Sequence, residues 1–276
     1  MEKKSLSFIS CCIIILLIII TSNGFTTHEI NNNSNKKWEL VFEDNFDTFN
    51  SSNWITLHDN GNRTLWSNKE LQWYNDNNVV VENGVCKLIA KKESIYGKDV
   101  ESEKQFEYTS GMICSSKGHL QQYGKWEIKV RFPFNKGCWP AFYLVPLKRP
   151  TLPEIDIFEY FGKKENEISC TIHYGTDYYN PERDNSVNPY YFNKTKDIKG
   201  DFSDKWMIWS LECTPEKIVW KLDGKTILTS YEGIPTEPLY MIANLAVKDF
   251  DGPVNDSGIP YVMEIDYVKC YKWVSE

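Results

Sequence analysis

The sequence predicts an all-β protein, a sandwich or barrel of two sheets, from three observations. Short runs rich in β-branched and aromatic residues recur along the chain, separated by Gly, Asn, Asp and Pro. Helical periodicity is hard to find between these runs. Asn83-Gly84 and Asp223-Gly224, dipeptides typical of tight hairpin turns, each lie between two such runs. A dozen strands without intervening helices favour two packed sheets.

Twelve runs, taken in order, give the predicted strands. They cover residues 38–42, 79–82, 85–91, 111–115, 124–132, 141–145, 154–161, 168–174, 206–212, 218–222, 239–246 and 261–273. Trp126, Trp209 and Trp220 fall in these runs and are predicted to fill the core. With 10 Trp and 16 Tyr, the chain has a surplus of aromatic rings. A sugar-binding cleft uses such rings for stacking, and Trp139, beside Pro140, is the best candidate.

The N-terminal residues are typical of an export signal. Lys3 and Lys4 precede an apolar stretch over residues 8–20, and small or polar residues follow at 21–24. This stretch is shorter than the roughly 20 residues of a membrane span. The predicted organisation is a cleaved signal peptide over 1–24, a polar leader over 25–37 and one domain over 38–274. We therefore expect a secreted protein, with an uncleaved signal anchor as the alternative.

The chain carries a formal net charge of −7. This charge argues against nucleic acid or an anionic polymer as a partner and favours a neutral substrate. Nothing in the composition marks a second domain or a stable membrane partner, and we expect a monomer.

Six cysteines follow the signal segment. They are Cys86, Cys114, Cys138, Cys170, Cys213 and Cys270. An exported protein permits disulfides, and six cysteines allow fifteen connectivities that sequence does not separate. Several lie in apolar strand-like runs, so free buried thiols fit equally well. The absence of a C-x-x-C pair disfavours a zinc or redox site.

Three carboxylates, Glu154, Asp156 and Glu159, lie within six residues, and large apolar residues occupy the positions between them. Because side chains alternate between the faces of a β-strand, Glu154 and Asp156 share one face. At an offset of five, Glu159 would point into the core unless a β-bulge near Ile157 or Phe158 inserts an extra residue. The sequence therefore predicts a bulge, and an enzymatic function depends on it.

The spacing of these acids indicates a mechanism. With the bulge absorbed, the Cα atoms of Glu154 and Glu159 lie about four strand steps apart, roughly 13 Å at ~3.3 Å per residue. Two glutamates leaning together would leave about 5 Å between carboxyl groups. This separation matches the ~5–5.5 Å of a retaining glycosidase rather than the roughly 6.5–9.5 Å of an inverting one. Like charges this close raise one pKa, which a general acid requires.

Two alternatives compete with an enzymatic interpretation of the acidic run. An acidic strand face is often simply solvated, and clustered carboxylates also bind calcium. The context favours an enzyme, because Phe158, Tyr160 and Phe161 belong to or follow the run and would wall a cleft.

Eight further segments carry motifs in a fixed order. They are residues 38–46 (WELVFEDNF), 68–74 (NKELQWY), 108–111 (YTSG), 123–127 (YGKWE), 137–143 (GCWPAFY), 172–175 (IHYG), 239–245 (LYMIANL) and 265–271 (IDYVKCY). Together with the acidic run they resemble glycoside hydrolase family 16, in the laminarinase-like branch with the bulged E-x-D-x-x-E motif. The resemblance covers nearly the whole chain after the signal segment, and its shared order argues against chance.

The resemblance implies a β-jelly-roll sandwich of two curved antiparallel sheets with a concave substrate cleft. It implies that Glu154 is the nucleophile and Glu159 the acid/base, while Asp156 hydrogen-bonds the nucleophile and modulates its ionisation. The implied activity is that of a secreted retaining endo-β-glycan hydrolase acting by double displacement. The implied substrates are β-1,3-glucan or mixed-linkage β-1,3-1,4-glucan, and no cofactor is expected for catalysis.

Four further residues take roles from the same resemblance. Asn68 would contact sugar on the donor side, and Trp139 would line the cleft. His173 would tune Glu159 or bind the acceptor sugar. Asp266 matches a position that often contributes to a structural calcium site remote from catalysis.

Two departures from the family pattern leave the substrate open. Met112 occupies a position that is arginine in many laminarinases, which removes a polar contact on the donor side. Leu152-Pro153 precedes the acidic run in place of a Trp-containing approach. A β-galactan or agar-type substrate is therefore an alternative, although no basic cluster lines the motifs to meet sulfate. The same motifs also fit a transglycosylase or a non-catalytic glycan-binding jelly roll.

Overall fold

The structure, a computed structural model, describes residues 36–98, 102–147, 152–164, 166–175, 191–250 and 252–275. Its regular elements are strands and a few short 3-10 turns. In chain order the strands are β1 (Lys36–Asp44), β2 (Gln72–Tyr74), β3 (Val79–Glu82), β4 (Val85–Ala90), β5 (Ile95–Lys98), β6 (Glu103–Phe106), β7 (Tyr108–Ser110), β8 (Met112–Cys114), β9 (Gly124–Arg131), β10 (Cys138–Pro146), β11 (Glu154–Tyr160), β12 (Glu167–Gly175), β13 (Tyr191–Lys199), β14 (Met207–Cys213), β15 (Ile218–Leu222), β16 (Lys225–Ser230), β17 (Leu239–Val247) and β18 (Tyr261–Ser275).

Two large antiparallel sheets contain most of these strands. The eight-stranded sheet has the order β16-β15-β14-β9-β18-β4-β3, and β1 also pairs with β18. The six-stranded sheet has the order β13-β12-β11-β10-β17-β8. Strands β2 and β7 form a small parallel pair, and β5 and β6 form an antiparallel one. The predicted all-β, two-sheet architecture is confirmed.

The hydrophobic core lies between the two large sheets. Trp126, Trp209 and Trp220, all from the eight-stranded sheet, are 0% exposed, as the sequence predicts. Trp209 packs against Phe158 of the six-stranded sheet, with ring centroids 5.5 Å apart. Burial of a large apolar side chain of this kind contributes roughly 1.5–3 kcal/mol. These contacts hold the six-stranded sheet in place, so that its other face is free to form a site.

The predicted strands omit six that the structure contains. They are β2, β5, β6, β7, β13 and β16. Strand β13 shows the reason, because it lies at the edge of its sheet and carries Lys194, Lys196 and Asp197 among few apolar residues. It is held by nine consecutive pairs with β12 rather than by an apolar face of its own. Pattern-based prediction needs such a face and therefore misses this strand.

Both predicted hairpin turns are confirmed. Asn83 and Gly84, with φ of 53° and 72°, connect β3 to β4. Asp223 and Gly224, with φ of 48° and 76°, connect β15 to β16. Two consecutive positive φ angles are what a type I′ turn requires, and Asn, Asp and Gly adopt them most readily.

The six cysteines after the signal segment are free and buried. The structure therefore agrees with the buried-thiol alternative and not with disulfides. The predicted signal peptide, over 1–24, lies outside the described residues, as does most of the predicted leader; β1 begins at Lys36, inside that leader. The domain organisation stays a prediction. Within the described ranges, no helix is long and apolar enough to span a membrane.

Candidate active site

A cleft of about 840 Å³ lies on the face of the six-stranded sheet that points away from the core. Its floor consists of side chains that alternate with the core residues of β10, β11, β12 and β17. They are Ala141, Tyr143, Val145, Glu154, Asp156, Glu159, Ser169, Thr171, His173, Tyr240, Ile242 and Asn244. Loop residues between 58 and 70 contribute to the wall. The period of two along each strand thus separates cleft residues from core residues.

The predicted bulge in β11 is confirmed by the pairing register. Between Asp156 and Glu159, β11 has two residues, Ile157 and Phe158, where β12 has only Cys170. The register of β11 against β10 shifts at the same place. One extra residue opposite a single partner is the definition of a β-bulge.

The bulge puts all three acids on the cleft face. Glu154, Asp156 and Glu159 line the cleft, whereas Ile155 and Ile157 are fully buried in the core. Without the extra residue, Glu159 would take the place of an apolar side chain and bury a carboxylate among hydrocarbon groups, at a large desolvation cost. The bulge is therefore the local feature that brings Glu159 to the cleft face beside Glu154 and Asp156.

The aromatic residues around the acidic run do not all lie where the sequence predicts. Phe161 lines the cleft. Phe158 and Tyr160 are buried in the core instead, so the prediction is wrong for these two. The bulge turns Phe158 inward beside Ile157, and regular alternation after Glu159 then sends Tyr160 inward and Phe161 outward.

Glu159 lies beside an indole donor. Trp139 Nε1–H donates a hydrogen bond to Glu159 Oε1 at 3.0 Å. Burial, and then the negative charges of Asp156 and Glu154, raise the pKa of Glu159 well above its usual range, while the hydrogen bond from Trp139 opposes the rise. Glu159 therefore keeps a proton at a pH where an ordinary glutamate is ionised, which a general acid must do.

Asp156, Glu154 and His173 form a compact group. One ligating atom of each lies within 4.8 Å of those of the other two. His173 Nε2 is 3.2 Å from Asp156 Oδ2, an ion-pair distance when the ring is protonated. Burial lowers the pKa of His173, but Asp156 and Glu154 outweigh burial and raise it on balance. Such a trio could hold a metal ion, and it equally suits a protonated imidazole that offsets part of the acidic charge.

The predicted substrate-binding residues Asn68, Trp139 and His173 all line the cleft. Trp139 packs against Phe161 and Phe250, with ring centroids 5.4 and 5.3 Å away. The three rings form an aromatic wall beside the acids, a surface suited to the C–H faces of a sugar ring. The structure thus brings together residues that lie far apart in the chain.

Asp266 lies elsewhere, on β18 in the eight-stranded sheet. Its Oδ2 is 2.5 Å from the ammonium group of Lys129. Within the described residues, it belongs to no group of three side chains placed to ligate a metal. A lysine ammonium beside the carboxylate does not fit a calcium site, which needs several oxygen ligands. The calcium site stays a prediction without support from this arrangement.

Several cleft residues escape the sequence-based prediction, including three that contact predicted ones. Glu70, Lys248 and Phe250 line the cleft with the predicted residues. Glu70 is two residues from Asn68 in the same motif, and this adjacency is the one sequence signal that could have found it. Lys248 and Phe250 follow β17, and nothing in their local pattern marks them.

Beyond the acids, β12 and β13 present a polar surface to the cleft. Ser169 Oγ donates to Asp197 Oδ1 at 2.5 Å, and the hydroxyls of Thr171 and Thr195 lie 3.2 Å apart. All four side chains line the cleft. Hydroxyl and carboxylate groups can exchange hydrogen bonds with polar ligands, so this surface differs chemically from the aromatic wall at Trp139.

Comparison with known proteins gives one family and consistent relatives. The family model described as Glycosyl hydrolases family 16 matches residues 67–267. The chain is 31% identical over 222 residues to the endo-1,3-1,4-beta-glycanase EglC of Rhizobium meliloti (strain 1021), which covers 75% of this chain and 44% of that relative. It is 30% identical over 266 residues to a glucan endo-1,3-beta-glucosidase of Cryptopygus antarcticus, which covers 86% of this chain and 93% of that relative. The chain thus spans less than half the length of the Rhizobium relative.

The fold is also similar to solved structures. The endo-beta-1,3-glucanase from Pyrococcus furiosus superimposes with a TM-score of 0.72 at 27% identity. The match covers 87% of this chain and 97% of that one. The predicted jelly-roll class is confirmed by this similarity together with the two antiparallel sheets.

Proposed function

Because the chain belongs to glycosyl hydrolase family 16, we propose that it is a retaining endo-β-glucanase acting on β-1,3-glucan or mixed-linkage β-1,3-1,4-glucan. One observation carries the proposal: the bulge in β11 brings Glu154, Asp156 and Glu159 to the same face of the cleft. Hydrolases of this family need no cofactor for catalysis, so the side chains of the cleft supply the chemistry.

In the proposed first step, Glu154 attacks the anomeric carbon while Glu159 protonates the glycosidic oxygen. The bond from the anomeric carbon to that oxygen breaks as an ester bond to Glu154 forms, which gives a covalent glycosyl-enzyme. The raised pKa of Glu159 supports this assignment, because the acid must carry its proton when substrate binds.

In the second step, Glu159 takes a proton from water, and the water oxygen attacks the anomeric carbon and displaces Glu154. Formation of the ester removes the negative charge of Glu154, one of the charges that raise the pKa of Glu159. The pKa of Glu159 is then lower in the intermediate than in the free enzyme, which suits a group that must change from acid to base.

Asp156 and His173 support this cycle electrostatically. Asp156 is 1% exposed and lies between the two glutamates along β11. The adjacent imidazole, whose pKa is raised, offsets part of the negative charge that three carboxylates create. Neither residue reacts with the sugar in this scheme.

A neutral β-glucan is favoured over a sulfated galactan. Both relatives described above are named for cleavage of β-1,3-containing glycans, which supports this substrate class. Among the described residues, three lysines, Lys163, Lys164 and Lys248, line the cleft, and Lys164 forms ion pairs with Glu167 and Asp197 at 2.5 and 3.1 Å that offset its charge. Met112, at a position that is arginine in many laminarinases, is uncharged as well as fully buried, so this position offers no cation to a sulfate group.

A substrate panel tests the activity. Wild type, Glu154→Ser and Glu159→Ala are assayed on laminarin, lichenan, agarose, carrageenan and xyloglucan, with exposed Glu39→Gln as a matched control. We expect turnover of laminarin or lichenan, lost by a factor on the order of 10³ or more in either cleft variant and retained in the control. Binding without turnover, unaffected by the cleft substitutions, would instead indicate a glycan-binding protein. Products longer than the substrate in excess acceptor would indicate a transglycosylase.

The stereochemistry of the product tests the two-step mechanism separately. NMR of the first product released should show the β-anomer, because two displacements retain configuration. Initial release of the α-anomer would exclude a glycosyl-enzyme at Glu154 even if the substrate assignment were correct.

Export and a monomeric state complete the proposal. The basic, apolar and small-residue order of the first 24 residues supports export with cleavage. N-terminal sequencing of protein recovered from the medium should begin shortly after residue 24. Protein retained on membranes with Met1 intact would favour the signal anchor.

A further inference from the structure

Glu70 is a buried acid in the cleft wall that the proposed mechanism does not use. It is 6% exposed, lines the cleft, and lies between the turn Trp66–Asn68 and β2. A carboxyl group in such a place is costly unless hydrogen bonds compensate for lost water. Its partners therefore indicate what it does.

Three hydrogen-bond donors surround the Glu70 carboxylate. Leu65 N–H and Gln72 Nε2 donate to Oε2 at 3.2 and 2.6 Å. Asn68 Nδ2 donates to Oε1 at 3.2 Å. An ionised carboxylate only accepts hydrogen bonds, so this set satisfies the charged form. The neutral acid carries one O–H and needs an acceptor, which these three contacts do not supply.

Asn68 is the partner that can turn to accept. A backbone N–H cannot accept, and Gln72 Oε1 is already held by Val247 N–H at 2.7 Å. Lys248 Nζ fixes the backbone of Asn68 by donating to its carbonyl oxygen at 2.6 Å. The side-chain amide of Asn68 hydrogen-bonds only Glu70 among the described residues. A half-turn of that amide would bring Oδ1 to Glu70 and leave Nδ2 toward the cleft.

We propose that Glu70 is a positioning residue whose protonation state decides which amide atom of Asn68 faces the substrate. Ionised Glu70 holds Nδ2 and leaves Oδ1 to accept from a sugar hydroxyl. Neutral Glu70 donates to Oδ1 and turns Nδ2 outward. The proposal rests on the proposed function, because it concerns the donor side of the same cleft.

The pKa of Glu70 places the proposed turn of the Asn68 amide in the neutral pH range. Burial raises the pKa of Glu70 to about 7, although hydrogen bonds from Leu65, Gln72 and Asn68 and the charge of Lys248 lower it. A small change of pH around neutrality then changes the ionised fraction of Glu70 substantially.

Other groups around Glu70 modulate this titration. Burial raises the pKa of Tyr74 on β2 and of Tyr143 on β10 well above their usual range, and the negative charge of Glu70 raises both further. Both phenols therefore stay neutral. Lys248, which follows β17, is the cation whose charge acts on Glu70, and burial lowers the pKa of Lys248. Lys69, next in the chain, is exposed to solvent.

NMR of the Asn68 side-chain amide tests the proposal without substrate. In ¹⁵N-labelled wild type, we expect the Nδ2 resonances, assigned by their loss in Asn68→Ala, to shift through the neutral range with a midpoint near the Glu70 pKa. Glu70→Gln should abolish the shift, because its amide donates permanently to Asn68 Oδ1 and so imitates the neutral acid. Resonances that stay constant in wild type would overturn the proposal, even if Glu70→Gln failed to fold.

Kinetics on laminarin provide the second readout. Wild-type KM should rise on the order of tenfold as pH falls through the Glu70 titration, the scale of one hydrogen bond. This direction follows because the charge-assisted hydrogen bond that Asn68 donates to ionised Glu70 fixes the Asn68 amide more firmly. Glu70→Gln should keep the high KM at every pH and should change KM less than about twofold in an Asn68→Ala background.

The outcomes separate this inference from the proposed function. An equal rise of KM with and without Asn68 would show that Glu70 acts on the fold rather than on the Asn68 amide, and would overturn the inference. Absence of turnover on any glycan would refute the proposed function, and the NMR titration would then decide on Glu70 alone.

Discussion

Glu159, the proposed general acid, shows how its surroundings raise the pKa of one side chain. Burial raises that pKa most, the charges of Asp156 and Glu154 raise it further, and the hydrogen bond from Trp139 opposes them. The descending limb of kcat/KM against pH reports the pKa of the acid in the free enzyme. The charge of Asp156 and the hydrogen bond from Trp139 can each be removed by one substitution that largely keeps the shape of the site.

Two substitutions should move that limb in opposite directions. Asp156→Asn removes a like charge, so the pKa of Glu159 falls and the limb moves to lower pH. Trp139→Phe removes a hydrogen bond that stabilises the ionised form, so the limb moves to higher pH. The measurement is a kcat/KM profile for each variant on laminarin. Shifts in the same direction would show that a group other than Glu159 controls the limb.

Glu70 should make the protein less stable as pH rises toward neutrality. Burial raises its pKa from 4.5 to about 7 in the folded protein. Between these values the unfolded chain has lost the proton that the folded protein keeps, so the free energy of unfolding falls with pH. The loss is on the order of 3 kcal/mol and is complete above the folded pKa.

Glu70→Gln tests this effect because glutamine does not ionise. Urea unfolding, followed from below pH 4.5 to above the folded pKa, should show a smaller fall in free energy for this variant than for wild type. Exposed Glu39→Gln serves as the control and should follow wild type. Equal falls in wild type and Glu70→Gln would contradict the pKa assignment.

At the scale of elements, the bulge in β11 decides which side chains of the strand face the cleft. It places two residues opposite one of β12, and both of them, Ile157 and Phe158, point into the core. The strand thereby returns to the cleft face at Glu159. A regular strand of the same length would send Glu159 inward, so that Glu154 and Asp156 would face the cleft without the proposed general acid.

Two single-residue deletions distinguish the effect of the direction in which the acids point from the effect of lost core packing. Deleting Ile157 leaves a regular alternation with all three acids on the cleft side, whereas deleting Ile155 puts Glu154 and Asp156 on opposite faces. Both deletions remove one fully buried isoleucine, at a cost of roughly 2–5 kcal/mol, and deleting Ile155 adds the desolvation cost of turning Glu154 toward the core. Laminarin hydrolysis per folded molecule, with folding checked by circular dichroism, should persist in the first and vanish in the second. An equal loss of hydrolysis in both deletion variants would show that lost core packing, and not the direction of the acids, explains the loss of activity.

The bulge could be predicted because acids and apolar residues keep strict positions around it. The same local rule leaves Phe158 undecided, since it does not tell which residues inside a bulge turn inward, and the inward direction of Tyr160 follows only once Glu159 is known to face the cleft. The rule fails for β13 as well, because an edge strand with polar residues on the cleft face lacks the pattern of a half-buried strand. These failures share one cause. Pairing with a neighbouring strand determines which side chains turn inward at a bulge and whether a polar segment forms a strand.

At the scale of the molecule, the two sheets are joined directly beneath the site. Trp220 on β15 donates its indole N–H to the backbone oxygen of Asp156 at 2.9 Å. The bond crosses the core from the eight-stranded sheet to the residue that begins the bulge. Packing between the sheets therefore also fixes the backbone that carries the acids.

Trp220→Phe should weaken both stability and catalysis, with Trp209→Phe as the control. Both tryptophans are 0% exposed, but Trp209 Nε1 has no hydrogen-bond partner within the described part of the chain. Trp220→Phe removes the hydrogen bond to the Asp156 carbonyl and should cost about 0.5–1.5 kcal/mol more in free energy of unfolding than the control. Urea unfolding and kcat on laminarin measure the two effects. A larger kcat loss in Trp209→Phe would show that the cross-core bond does not hold the bulge.

The sequence by itself determined the all-β class, the family and the three acids with the bulge between them. These follow from alternation, turn residues and motif order, which are local properties of the chain. Only the tertiary structure decided that Trp139 donates to Glu159 and that Glu70 holds Asn68. Burial and hydrogen-bond partners depend on strand pairing across the sheet, and they shift the pKa of an acid that sequence presents as an ordinary glutamate.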